Sequence, residues 1–479
     1  MKVVHLATEL APIAKVGGLG DVTHGLSKAL KEAGHDVTVI LPKYSHINIS
    51  SYKASFFPSC LSDKEGSKQD QFWTSQEEGV KIILIDSSKN HFNRGTIYGE
   101  WDDAERFLYF SLRALDYLKQ TQEPIDVLHL HDWPTAIGAF LYKTFYQKDN
   151  FVIKKVVFTI HNLEHQGQIE INRFLNALPY KRPPSIESFL ESNHQVVNLM
   201  KSGIIFSDAI TTVSPSYAKE ILTFEGGQGL DNLLRQNQYK LTGILNGIDR
   251  SIWNPEKDKY LSCRYDSKNV SEGKRANKYF LRKQLNLSLT GKPLICCISR
   301  LAYQKAPHLI KHTLIKGLEA GGQCILLGSG SDNEKASFEE LKKEFKDNPN
   351  IHIYLALNEE LAHQVFASAD IFVVPSLFEP CGLTQLIALS YGSIPVVRRT
   401  GGLGDTVFDL DTSSMPLEER NGFTFDHPDE KGLEWGLLRA IRFHQSQPKN
   451  WIELQQRNMQ KDYSWKNHLD QYVQIYKKE

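Results

Sequence analysis

Short apolar runs that end in glycine-rich turns recur in both halves of this chain, and they constrain its fold more than any other feature. Val3-Val4-His5-Leu6 precedes Lys15-Val16-Gly17-Gly18-Leu19-Gly20. Ile371-Phe372-Val373-Val374 precedes Phe378-Glu379-Pro380-Cys381-Gly382-Leu383, and Ile394-Pro395-Val396-Val397 precedes Thr400-Gly401-Gly402-Leu403-Gly404-Asp405-Thr406. A short apolar run bounded by turn signals reads as a buried parallel strand. Glycine at its end lets backbone N–H groups approach an anion with no Cβ in the way, and strand ends are where open α/β sheets bind ligands. The expectation is two nucleotide-fold halves, each aiming a glycine loop at an anionic group.

The organisation along the chain agrees with this. A length of 479 residues exceeds what one hydrophobic core supports, so two domains are expected. In the first half, strands are expected at residues 3–7, 37–41, 80–85, 127–130, 155–160 and 209–213. A helix is expected from Asp21, with Val22, Leu26, Ala29, Leu30 and Ala33 on one face and Gly34 as its stop. Ser214 caps a further helix that has Pro215 at its first position. Turn signals in residues 241–255 place a hinge there. A second series of strands follows at 294–299, 324–327, 351–355, 371–374 and 395–397, and residues 451–478 read as one or two helices. The domains expected are 1–243, 244–455, and a C-terminal helix over 456–479 returning to the first domain. Residues 47–81 carry no clear pattern.

Lys+Arg and Asp+Glu both number 56, so formal net charge is zero, which argues against nucleic acid and anionic membrane as partners. No stretch has the length of a membrane span, and no signal-peptide apolar region is visible. The six cysteines (60, 263, 296, 297, 324 and 381) have no metal-ligand spacing, and a reducing cytoplasm is expected.

Several motifs occur in a fixed order. They are Lys15-Val-Gly-Gly-Leu-Gly-Asp-Val22, His129-Leu-His-Asp-Trp133, Thr159-Ile-His-Asn162, Thr212-Val-Ser-Pro215, Leu245-Asn-Gly-Ile-Asp249 with Trp253-Asn-Pro255, Ser299-Arg-Leu301 with Gln304-Lys305, and the two loops above. In these the chain resembles the bacterial glycogen synthases and plant starch synthases. That resemblance implies the α/β GT-B fold, two Rossmann-like doubly wound parallel-sheet domains facing a central cleft and closing during the cycle. It implies retaining transfer of glucose from ADP-glucose to the non-reducing end of an α-1,4-glucan (glycogen or a malto-oligosaccharide), with no metal or organic cofactor. UDP-glucose as a significant donor is one alternative. A catalytically inactive glucan-binding protein is another, and a glucan phosphorylase carrying pyridoxal phosphate is a third.

The resemblance also implies roles. Lys15 reaches the donor's distal phosphate, with Gly17 and Gly18 supplying N–H groups. Arg300 and Lys305 meet the diphosphate, whose departing charge a metal-free enzyme must neutralise with side chains and helix N-termini. Glu379 binds the donor glucose, with Cys381, Gly382, Leu383 and Thr384 lining the donor site beside it, although Cys381 on its own reads as a space-filler. His161 contacts the sugar and orients it. Asn246 lies in the donor cleft, and Asp132, Asp21 and Asn162 on the acceptor side, with Asp21 also readable as a helix N-cap.

Three patterns imitate metal sites. His161-Asn-Leu-Glu-His165 matches a zinc motif that needs a helix, whereas a strand precedes it. His129-x-His131 needs a further ligand that the sequence does not identify. Asp409-Leu-Asp411 reads as a solvated turn. Two departures from the family stand out: Ala306 replaces the usual Gly after Gln304-Lys305, and Ala356-Leu357 replace the usual Gly-Tyr. The family's Tyr lies against the nucleobase, so Leu357 puts the preference for ADP over UDP in question.

Overall fold

The computed structural model describes residues 1–56, 70–147, 151–178, 183–191 and 195–478. The chain divides into two units, 1–246 with 468–479, and 247–467.

The first unit holds strands β1 (Lys2–Leu6), β2 (Asp36–Pro42), β3 (Lys53–Phe56), β4 (Gln71–Glu77), β5 (Val80–Asp86), β6 (Ile125–His131), β7 (Ile153–Ile160), β8 (Gln168–Glu170), β9 (Val196–Asn198), β10 (Ala209–Thr212) and β11 (Leu241–Gly243). Nine of them form one sheet in the order β11-β10-β7-β6-β1-β2-β5-β4-β3, and β8 pairs with β9 apart from it. All pairings in the large sheet are parallel except β3–β4 and β4–β5. The antiparallel edge falls in the stretch the sequence left unassigned, part of which (57–69) lies outside the described residues.

The second unit holds β12 (Leu294–Arg300), β13 (Gln323–Ser329), β14 (Ile351–Tyr354), β15 (Ile371–Val374), β16 (Ile394–Arg398) and β17 (Phe423–Phe425). They form a wholly parallel sheet in the order β14-β13-β12-β15-β16-β17. Counted in chain order, this runs third, second, first, fourth, fifth, sixth. Strands β5, β2, β1, β6, β7 and β10 repeat that order in the first unit. It is the doubly wound nucleotide-binding order, whose strand direction of growth reverses between the first and fourth strands. Ligands of such sheets sit at the carboxyl ends of those strands, here β1 with β6 and β12 with β15.

Helices on both faces bury these strands, and this explains their continuous apolar runs. Cys296, Cys297 and Cys324 lie in the second core, where desolvation pushes the Cys297 thiol up to about 12.

The sequence reading needs two corrections. The first helix spans Gly18–Glu32 and not a stretch from Asp21. Gly17 is its N-cap, Asp21 lies in its first turn, and Ala33 is its C-cap. Residues 451–478, expected as one or two helices, do form parts of two, Pro448–Gln460 and Lys466–Lys477. The boundary expected after residue 455 falls after 467, because Trp451 and Leu454 pack into the second core and Ser464 bridges to Ile248. Ser214 does cap its helix, accepting from the Tyr217 N–H.

Candidate active site

In the second unit, β12 delivers Arg300, exposed, at its carboxyl end, and a 3₁₀ turn at Tyr303–Lys305 follows. The loop after β15 carries Glu379, only 6% exposed. Lys305 Nζ donates to Glu379 Oε2, and the Ser376 hydroxyl donates to the same oxygen at 2.9 Å. Burial removes this oxygen from water, and the two bonds take the place of that hydration. Gln304 fixes the loop from the other side: its Nε2 donates to the Phe378 carbonyl at 3.1 Å, and its own carbonyl accepts from Leu377 N–H at 2.8 Å.

The second glycine turn has a packing role that the sequence did not announce. A Cβ on Gly401 would stand 2.1 Å from the Glu379 carbonyl oxygen, and one on Gly402 would stand 2.3 Å from that of Cys381. Gly402 N–H donates to the Glu379 carbonyl at 3.1 Å. Gly401-Gly402 therefore lets backbone pack on backbone behind the Glu379 loop. Cys381 is buried, Gly382 has φ of +75°, and Leu383 is the N-cap of the short helix Thr384–Ser390. Ala306 has φ of +52°. A left-handed residue costs a non-glycine about 1 kcal/mol or more, which explains why glycine is the usual occupant here.

In the first unit, the loop after β1 carries Glu9, Lys15, Gly17 and Gly18. Glu9 is buried; its Oε2 accepts from the N–H groups of Val16 (2.7 Å) and Gly17 (2.8 Å), and its Oε1 accepts from Tyr98 Oη at 2.9 Å. The Gly17 N–H expected to meet an anion thus already meets one, a carboxylate of the chain itself. Gly18 opens the first helix. Lys15, half exposed, pairs with Asp21 at 2.7 Å.

Asp132 follows β6 with φ of +60°, a sparsely populated conformation for a non-glycine. Its Oδ1 accepts from the N–H groups of His161 (3.2 Å) and Asn162 (3.5 Å), at the carboxyl end of β7. Desolvation pushes the Asp132 carboxyl up to about 7, against the pull of those two bonds. Asn246 is buried, its Oδ1 without a hydrogen-bond partner among the described residues. Each unit thus gathers its own candidates. Glu9, Tyr98 and Ser376 belong to no motif and were missed; being polar and next to a strand end is too common a pattern to have marked them.

The imitations resolve on geometry. Residues 161–165 form a bend and turn with no helix to align two histidines. The third imidazole beside His129 and His131 is His5, its register partner on β1. Both nitrogens of His129 are bonded, however, Nδ1 to Tyr476 Oη at 2.7 Å and Nε2 to Thr159 Oγ1 at 2.6 Å. Asp409 is not solvated as expected: it is buried and paired with Arg439 at 2.7 Å, which holds its carboxyl well below the usual range, while Asp411 is exposed.

Two doubly wound sheets that present cations and carboxylates at their switch points are the parts that a GT-B glycosyltransferase requires. Residues 2–236 match the starch synthase catalytic domain family, and residues 280–457 match glycosyl transferases group 1. The chain is 43% identical to a glycogen synthase of Protochlamydia amoebophila, over 99% of both chains. It is 42% identical to glycogen synthase 2 of Methylococcus capsulatus, again over 99% of both. The catalytic domain of starch synthase IV from Arabidopsis thaliana, bound to ADP and acarbose, superposes with a TM-score of 0.92 at 41% identity, covering 99% of this chain and 98% of that one. The chain belongs to the glycogen and starch synthase family.

Proposed function

We propose that this glycosyltransferase moves glucose from ADP-glucose to the non-reducing end of an α-1,4-glucan with retention, elongating glycogen. The observation that carries the residue assignment is Glu379, buried at the β12/β15 switch point and held by Lys305 and Ser376. ADP and acarbose in the Arabidopsis relative support a nucleotide-sugar donor and a glucan acceptor.

In this reading Glu379 binds the donor glucose and stabilises positive charge developing at the reacting carbon. Lys305 has three N–H donors, so its bond to Glu379 leaves two for phosphate oxygens. Arg300, exposed at the carboxyl end of β12, adds its charge against the leaving diphosphate, so that side chains take the place of a metal. His161 and Asp132 orient the sugars.

The test is an assay with glycogen primer, comparing ADP-glucose with UDP-glucose. Arg300→Gln and Lys305→Gln should each lower kcat by ~10²–10³. Turnover that survives both substitutions, or an absorbance band of pyridoxal phosphate in the purified protein, would overturn the reading.

A further inference from the structure

Three imidazoles on adjacent strands join end to end. His5 on β1 bonds His131 at the end of β6, Nδ1 to Nε2, at 2.9 Å. His131 bonds His161, just beyond β7, again Nδ1 to Nε2, at 3.0 Å. His5 and His131 are fully buried, and His161 is half-buried. His129, stacked on His131 with centroids 4.3 Å apart, stays outside this chain because both its nitrogens are engaged elsewhere. Desolvation pushes His5 and His161 down to about 3 and His131 well below its ordinary value, so all three rings are neutral at working pH.

A neutral imidazole has one N–H and one lone pair. Three such rings making two bonds can be ordered in only two ways: every ring protonated at Nδ1, or every ring protonated at Nε2. The far end decides between them. Among the described residues, His5 Nε2 is buried without a hydrogen-bond partner, and orphaned N–H groups are rarer in cores than unfilled acceptors. The other end, His161 Nδ1, belongs to a half-buried ring that water or substrate can reach.

We infer that His5, His131 and His161 form one proton-ordered chain with every ring protonated at Nδ1, so that His161 presents a fixed N–H donor to an oxygen of the bound sugar. His5 and His131 are then positioning residues acting from the core, as outer partners of a functional histidine do when they set its tautomer. The inference rests on His161 lying in the proposed active site.

Long-range ¹⁵N–¹H correlation spectra of the full-length protein, labelled at histidine, show which nitrogen of each ring carries the proton. We expect Nδ1–H on His5, His131 and His161. His161 protonated at Nε2, or a mixture of tautomers along the chain, overturns the inference. Two variants then test the coupling. His5→Asn can still donate from the position of Nδ1, and it should keep the His161 tautomer and near-normal kcat. His5→Leu cannot donate; it should lose the single tautomer and about tenfold in kcat, with KM little changed. A His5→Leu protein that keeps both overturns the relay, and one that fails to fold leaves the wild-type spectrum to decide. A protein with no glucosyl transfer but an ordered chain would refute the proposed function and leave the proton order standing.

Discussion

Leu357 stands one residue before Asn358, the N-cap of the helix Glu359–Ser368, and is 82% exposed. A larger side chain there meets no packing obstacle. If the base of the donor lies against this position, as the family's usual Tyr implies, Leu357→Tyr should restore an aromatic contact worth about 0.5–1.5 kcal/mol. The ratio of kcat/KM for ADP-glucose over UDP-glucose should then rise, by up to roughly tenfold. An unchanged ratio would show that residue 357 does not set base choice. Asp132 makes a second prediction. Its folded pKa of about 7 lies above that of an unfolded aspartate, so the folded state holds the proton more tightly. By linkage, the stability this group contributes is full below about pH 4 and is lost as pH rises towards 7. Asp132→Asn keeps an acceptor for His161 and Asn162 but cannot ionise. Relative to wild type it should gain stability between pH 5 and pH 8, read from denaturant midpoints at both.

Among the elements, the glycine turn Gly401-Gly402 shows how far a motif can be read. Its position was legible, because glycine after an apolar run is a strong local signal. Its purpose was not, since a sequence shows that a Cβ is missing and not what occupies the space. Gly402→Ala should force the backbone of Cys381 to move and cost about 1–3 kcal/mol, with a loss of turnover as Glu379 shifts. Gly404→Ala is the control, its nearest obstacle being the flexible Arg399 side chain at 3.3 Å. Equal melting temperatures and equal kcat for the two variants would refute the packing argument. The parallel strands were legible for a related reason: covered on both faces, they need continuous apolar runs. β4 was not, because it is mostly half-buried and its sequence QFWTSQE mixes polar and apolar residues. Of the site, Lys15, His161, Lys305 and Glu379 were marked by motif. Glu9, His5 and Ser376 make contacts set by partners far away in sequence or by loop geometry, and nothing local announces them.

Across the whole molecule, the first unit is discontinuous in sequence. Tyr476 bonds His129 in its core, 347 residues away, and Tyr472 is buried beside it. Tyr476→Phe leaves His129 Nδ1 without that partner and should cost the first unit about 1–3 kcal/mol. The signature would be a lowered denaturation midpoint for that unit with the transition of the second unit unchanged. This arrangement also fixes a timetable. A ribosome can release all of residues 1–246 while the place of Tyr472 and Tyr476 stays empty, because the whole of residues 247–467 must be translated first. At a typical ~5–20 residues per second that wait is on the order of ten seconds or more. During it the nascent first unit exposes the surface beside His129 that Tyr472 and Tyr476 later cover, and this is the interval in which a chaperone would find it.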